Sequence, residues 1–332
     1  MKISFVGGGS FGTSLAVLLA KKEFEISVWC HSQGTVDEIN NQRTNRKYLK
    51  DISIPDNVTA FSDIEPAVKD SDIVVLAVPS KAIREISKKV FPFLKDEAII
   101  VTVAKGIEKH TLKRLSQVIS EEIAGHPVVV LSGPSHAEEV ANNIPTTVTV
   151  ASESSEAAKV IQNVFGSGTF RVYTNNDITG VEIGGAFKNI IALAAGISDG
   201  IGYGDNTKAA LMTRGMSEIV RVGTKLSGRP ETFYGLTGMG DLIVTCTSMH
   251  SRNRRAGILI GKGMTMDEAV KEVGMVVEGI EAVKAFYELK QQTDVEMPIT
   301  TALYEVLFED KDPKMSVMEL MNRTYKEENA DF

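Results

Sequence analysis

The chain has 332 residues, 36 Lys and Arg against 43 Asp and Glu, and a formal net charge of -7. That length suits two cores of roughly 150 residues each, and the acidic balance excludes a surface built throughout to hold nucleic acid or anionic lipid, so any anion site is local. Cys30 and Cys246 lie far apart with no CxxC or His/Cys neighbourhood, so neither a disulfide framework nor a metal site is expected, and a reducing cytoplasm fits.

The chain begins with the strand-like run MKISFVGGG and lacks the basic and apolar regions of an export signal. KISFVG, EISVWC, DIVVLAV, AIIVTVA and PVVVLSG then recur through the first half, mostly separated by segments of helical spacing. This alternation predicts a parallel sheet covered by helices on both faces. Each run ends in small or polar residues, which places Gly7 to Gly9, His31, Pro79 with Ser80, Lys105 with Gly106, and Ser132 to Ser135 at carboxyl ends of strands. Ligands bind at that edge of a doubly wound sheet. Two more extended runs, TTVTVAS and TFRVYT, flank a helical segment, and beyond about Asn176 the strand signal stops.

The rest reads as helices broken by Gly or Pro, from GVEIGGAFKNIIALAAGI to TTALYEVLF, with an acidic tail, KEENADF, expected to fray. Apolar stretches such as IIALAAGI are too short to cross a bilayer of about 30 Å and read as buried core, so no membrane span is expected. The fold class is therefore α/β: an N-terminal doubly wound Rossmann-type sheet over residues 1–180 and an all-helical C-terminal domain over 181–332.

Gly7, Gly9 and Gly12 form G-x-G-x-x-G directly after the first strand and directly before the helical pattern TSLAVLLAKK. The first glycine permits a tight turn, the second lets backbone approach a pyrophosphate, and the third lets helix pack on strand, while N–H groups at the helix start face the anion. A tight turn without ligand is the alternative. An NAD-restricted site places Asp or Glu at the end of the second strand. Here that position reads Trp29, Cys30, His31, Ser32, so nothing repels a 2′-phosphate, His31 or Ser32 can donate to one, and NADP is expected to be accepted beside NAD.

Lys188 lies among small residues, with Gly184 and Gly185 one turn before it and Ala192 one turn after. Taken out of water, it has the lowered pKa that a proton donor to a carbonyl needs near neutral pH. The residues alone favour a lysine whose stem covers apolar surface and whose head reaches water. In GDLIVTCTSMHSRNRRAG, Asp241 follows a glycine turn and Ser251 is a natural N-cap for a helix opening with Arg252, Asn253, Arg254 and Arg255. Guanidinium, amide and N–H donors there suit a monophosphate clamp, and a solvated basic face is the competing reading. Ser135 with Glu138 fits a capping box; the functional alternative has Gly133 and Ser135 facing substrate and Ala137 bordering the cofactor. Lys105, ending VTVAK, reads as a cation aimed at substrate.

GGGSFGTSLA, INNQRTNRKYL, LAVPS, VTVAKGIE, LSGPSHAEEVA, GVEIGGAFKNIIALAAGI, GLTGMGDLIVTCTS, SRNRRAG, VVEG and MPIT follow one another in that order. Together they closely resemble the bacterial NAD(P)-dependent glycerol-3-phosphate dehydrogenases over nearly the whole chain. The resemblance implies an oxidoreductase that interconverts sn-glycerol 3-phosphate and dihydroxyacetone phosphate by hydride transfer and supplies the phospholipid backbone. It makes Lys188 the catalytic proton acceptor and donor. Lys105, Gly133, Ser135, Lys188, Asp241, Ser251, Arg252 and Asn253 become the substrate-facing set. Ser10, Phe11, His31, Lys105, Ala137, Arg252, Val276 and Glu278 become cofactor contacts beside the glycines and Ser32. Gly8 and Phe11 stand where the family more commonly has Ala and Trp, and Lys50 where it has proline, which touches cofactor preference and loop shape. A small-molecule substrate, a homodimer and no required metal are expected. The alternatives are a dehydrogenase of another small hydroxyacid and a non-catalytic dinucleotide sensor.

Overall fold

The computed structural model describes residues 1–325 and 327–328. Except for 327 and 328, the KEENADF tail lies outside the described residues. Two compact units emerge, one of Met1–Ala104 with Leu115–Ile178 and one of Lys105–Arg114 with Thr179–Phe332. The segment Lys105–Arg114 thus groups with the helical half, where a single break near residue 180 had assigned it to the first.

In the first unit, β1 (Lys2–Val6), β2 (Glu25–Trp29), β3 (Val58–Phe61), β4 (Ile73–Leu76), β5 (Ile99–Thr102), β6 (Val128–Ser132), β7 (Thr146–Ser152) and β8 (Phe170–Asn175) form one sheet in the order β3-β2-β1-β4-β5-β6-β7-β8. Pairing is parallel except between β6 and β7. Side-chain alternation divides the sheet between two cores. Ile3, Phe5, Ile73, Val75 and Val101 join the Ser10–Ala20 and Ser155–Phe165 helices on one face. Val6, Val74, Leu76 and Ile100 meet the Ile83–Val90 and Leu115–Glu122 helices on the other. Burial on both faces explains why these strands read as continuous apolar runs. The strand order reverses at β1, with β2 on one side and β4 on the other, and the glycine loop leaves β1 at that switch point.

The second unit is built on the helix Ile178–Ile201, whose buried stretch includes Glu182, Lys188 and Asn189. It has 24 residues, and an 18-residue window within it has a mean hydropathy of 1.3, long and apolar enough to cross a membrane, which corrects the reading from IIALAAGI alone, but 94% of that window is buried inside the protein. Phe187 meets Phe286 edge-on at 4.8 Å. Glu218 is sunk in this core. Its carboxylate accepts from the N–H groups of Ile299 (2.9 Å) and Thr300 (3.0 Å) and from Thr300 Oγ1 (2.6 Å), capping the Pro298–Phe308 helix from a neighbouring helix.

The helix Arg252–Gly261 lies against Ile178–Ile201 with glycines facing glycines. A Cβ on Gly196 would fall on the Arg254 carbonyl oxygen and one on Gly200 on that of Ile258; reciprocally, Gly257 faces the Leu193 carbonyl and Gly261 that of Ile197. Backbone therefore touches backbone along a full turn.

Candidate active site

In the first unit, Gly7 sits at φ +127, a conformation that L side chains rarely adopt, and its N–H donates to the Trp29 carbonyl at 3.1 Å. A Cβ on Gly12 would strike the Gly7 carbonyl oxygen, so the third glycine is what lets helix follow strand so tightly. Gly9 is the N-cap of the Ser10–Ala20 helix, with nothing within 4 Å of where its Cβ would lie and no acidic residue in the first turn. Open space over this backbone, beside the N–H groups of Ser10, Phe11 and Gly12 at an eleven-residue helix start, fits the pyrophosphate of a dinucleotide. Asn45, which the motif reading passed over, holds the loop: its Nδ2 donates to the Gly8 carbonyl and to Thr13 Oγ1, both at 2.9 Å.

At the end of β2, His31 and Ser32 are both exposed. The His31 ring is stacked with Trp29 at 6.3 Å between centroids, and Ser32 is the N-cap of the short helix Gln33–Asp37 without a side-chain capping bond. After β6, Gly133 takes φ +135. The expected capping box at Ser135 and Glu138 does not form. His136 is the N-cap of the Ala137–Ala141 helix, and Ser135 Oγ instead donates back to the Gly133 carbonyl at 3.0 Å. Ser135 is thus one residue too early to cap, and Ala137 opens the helix, buried.

In the second unit three charged groups converge. Asp241 opens the helix Asp241–Thr247 and is 1% exposed. One carboxylate oxygen accepts from Lys105 Nζ at 2.5 Å and the other from Lys188 Nζ. Lys188 Nζ also donates to Thr245 Oγ1 at 2.7 Å, and that hydroxyl donates to the Asp241 carbonyl at 2.6 Å. Thr245 was not singled out from sequence, although its place four residues after Asp241 puts both on one helix face. Desolvation pulls Lys188 down to a pKa of about 8; Asp241 pulls it back up and the Lys105 charge adds to the lowering. Burial alone would raise Asp241, but the two ammonium groups outweigh it and hold the carboxyl below the usual carboxylate range. Lys188 does not carry its head to water, so the reading favoured by its neighbours in sequence is overturned.

Ser251 is the expected N-cap, its Oγ accepting from the Arg254 N–H at 3.2 Å. Asn253 Nδ2 donates to Asn189 Oδ1, and Asn253 Oδ1 accepts from the Gly279 N–H, both at 2.9 Å. This ties the start of the helix to the residue beside Lys188 and to the first turn of the Glu278–Thr293 helix, next to half-buried Glu278 and exposed Val276. Arg252 is half-buried at the helix start. The two other arginines of the clamp reading are engaged elsewhere. Arg254 binds Asp199 through Nε (2.9 Å) and Nη2 (2.7 Å) and the Thr247 carbonyl through Nη1 (3.0 Å). Arg255 reaches the Val273 carbonyl at 3.3 Å.

A dinucleotide loop at a doubly wound switch point, together with a helical unit holding a buried amine of lowered pKa, defines the class of pyridine-nucleotide-dependent oxidoreductases. Residues 2–158 match the family model described as NAD-dependent glycerol-3-phosphate dehydrogenase N-terminus, and residues 177–318 match that of its C-terminus. The chain belongs to this family. Among its relatives, a glycerol-3-phosphate dehydrogenase (NAD(P)+) of Clostridium tetani is 63% identical over 98% of this chain and 93% of its own length. A protein of the same name from Bacillus licheniformis is 52% identical over 100% and 97%. The crystal structure of glycerol-3-phosphate dehydrogenase from Coxiella burnetii superposes with a TM-score of 0.94 at 38% identity, covering 97% of this chain and 99% of that one.

Proposed function

We infer that the chain interconverts sn-glycerol 3-phosphate and dihydroxyacetone phosphate with NAD(P)(H). The observation that carries the site assignment is the Lys188 amine, buried, paired to Asp241 and brought to a pKa of about 8. Such a group is still largely protonated at neutral pH yet gives its proton up readily, which is what reduction of a ketone requires of a general acid. Bound at the Gly7–Gly12 loop, with Ser10, Phe11, His31, Ser32, Lys105, Ala137, Arg252, Val276 and Glu278 as its further contacts, the nicotinamide coenzyme supplies or accepts the hydride. Lys188 protonates the ketone oxygen in one direction and takes the proton in the other. Asp241 fixes the direction of that amine, Thr245 holds it from a second side, and Lys105 adds positive charge where the oxygen becomes an alkoxide. Ser251, Arg252 and Asn253, at the start of a ten-residue helix, bind the substrate phosphate, and Gly133 and Ser135 complete the set. Phosphate binding away from the reacting carbon then positions the carbonyl.

NADP is accepted beside NAD, since no carboxylate follows β2 at His31 and Ser32. The protein acts on a small molecule in the cytoplasm as a homodimer, supplies glycerol 3-phosphate for phospholipid synthesis and requires no metal. The test is initial-rate reduction of dihydroxyacetone phosphate with NADH and with NADPH, beside unphosphorylated dihydroxyacetone. The phosphorylated ketone must be strongly preferred, and Lys188→Ala must lose turnover while still binding coenzyme. A Lys188→Ala protein that keeps most of its kcat refutes the assignment.

A further inference from the structure

The segment Lys105–Arg114 is a short loop closed on itself. Ile107 and Arg114 form an isolated antiparallel bridge, the Glu108 N–H donates to the Lys113 carbonyl at 2.9 Å, and Thr111 Oγ1 donates to Glu108 Oε2 at 2.6 Å. Ile107 is buried in the helical core, and Leu112 packs against it. Two ion pairs then fasten the ends of the loop. At one end Lys105 reaches Asp241; at the other Arg114 pairs with Glu182, whose side chain is 5% exposed. Glu182 lies on the same helix as Lys188, six residues earlier, about 9 Å along the axis.

We propose that Arg114 and Glu182 are positioning residues for the reaction: their buried ion pair anchors the Lys105–Arg114 loop on the helix that carries Lys188 and so seats the Lys105 ammonium on Asp241. With Glu182 5% exposed and Arg114 15%, the pair is a poor source of stability, because desolvating two largely buried charges costs about as much as their attraction returns. Its product is geometry. Unlike an apolar contact, it fixes where the loop meets the helix in both distance and direction. With that anchor in place, Lys105 and Lys188 divide one carboxylate between them, and the positive charge of Lys105 lies near the Lys188 amine. The groups that face this amine are the Asp241 carboxylate, the Lys105 ammonium, the Thr245 hydroxyl and the Cys246 thiol. Releasing the loop withdraws the only like charge of this set, so the amine holds its proton to higher pH.

The inference rests on Lys188 being the proton donor, and Lys188→Ala is assayed in parallel so that failure of that reading is seen by itself. The test replaces the pair with apolar side chains, Arg114→Met with Glu182→Leu, which removes both charges of the pair together. The double variant is expected to melt close to the wild type. Its kcat/KM for dihydroxyacetone phosphate falls about tenfold, and the alkaline limb of its pH profile moves up by about one unit. Arg114→Lys keeps a charge on a shorter reach and carries the same test should the double variant not fold, its limb moving part of the way. Wild-type kcat/KM and limb in the folded variant overturn the proposal. So does a fall in kcat/KM with the limb unmoved, which is what a purely structural pair gives.

Discussion

Asp241→Asn removes the carboxylate that two ammonium groups share and leaves them facing a neutral amide. Lys188 is the more buried of the two, and its pKa of about 8 already includes the upward pull of Asp241. An opposite charge at this range is worth about one to three pKa units, so without it the amine falls to about 6. Keeping it charged at neutral pH would cost about 1.4 kcal/mol for each unit, and losing the proton is the easier response. At pH 7 the wild-type amine is about nine-tenths protonated and the variant about one-tenth, so titration alone lowers the rate of ketone reduction about ninefold. The assay is kcat/KM for dihydroxyacetone phosphate between about pH 5 and 9. The alkaline limb should move from near pH 8 to near 6, opposite in direction to the Arg114 and Glu182 variants. A uniform loss across the range with the limb unmoved would show that Asp241 does not govern the proton on Lys188.

Stability should carry the mark of the same amine. Its pKa is lower in the folded chain, about 8, than the ordinary 10.5, so between these values the unfolded chain binds the additional proton and stability rises with pH, by on the order of 3 kcal/mol in all. Denaturant titrations across that window should show the rise in the wild type and a smaller one in Lys188→Met. Gly12→Ala drives a methyl group into the Gly7 carbonyl oxygen; coenzyme affinity measured by fluorescence titration should fall at least about tenfold, with a loss of about 1 to 3 kcal/mol in stability, and an unaltered Kd would contradict the account of the loop. Glu218→Gln keeps an oxygen for one of the two donors, the Ile299 or the Thr300 N–H, and sets an NH2 group against the other. It should lower the denaturation midpoint by the equivalent of about 1 to 3 kcal/mol with kcat unchanged.

The sheet was legible where strands are buried on both faces, because β4, β5 and β6 are almost wholly apolar runs and β1 is interrupted only by the small Ser4. β3 was not. Val58–Phe61 has four residues, one of them exposed, and such a short edge strand carries no pattern distinct from a loop. The glycine loop and the Ser251 cap were legible because each depends on neighbours in sequence. The ion pairs were not, since Lys105, Lys188 and Asp241 are joined only by the folding of 136 residues of chain between the first and last. For the same reason Arg254 and Arg255 read as part of a clamp, although Arg254 is taken by Asp199, 55 residues away. Ser135 shows the limit of local rules: the residue types of a capping box were present, but the helix starts one residue later.

The facing glycines of Ile178–Ile201 and Arg252–Gly261 leave this helix pair no slack. At Gly196, Gly200, Gly257 and Gly261 main chain meets main chain, with no side chain between to compress or re-rotamerise. A methyl group at any of the four runs into a carbonyl oxygen, so alanine there forces the helices apart, and redesign of this half of the protein would have to begin from a different helix pairing.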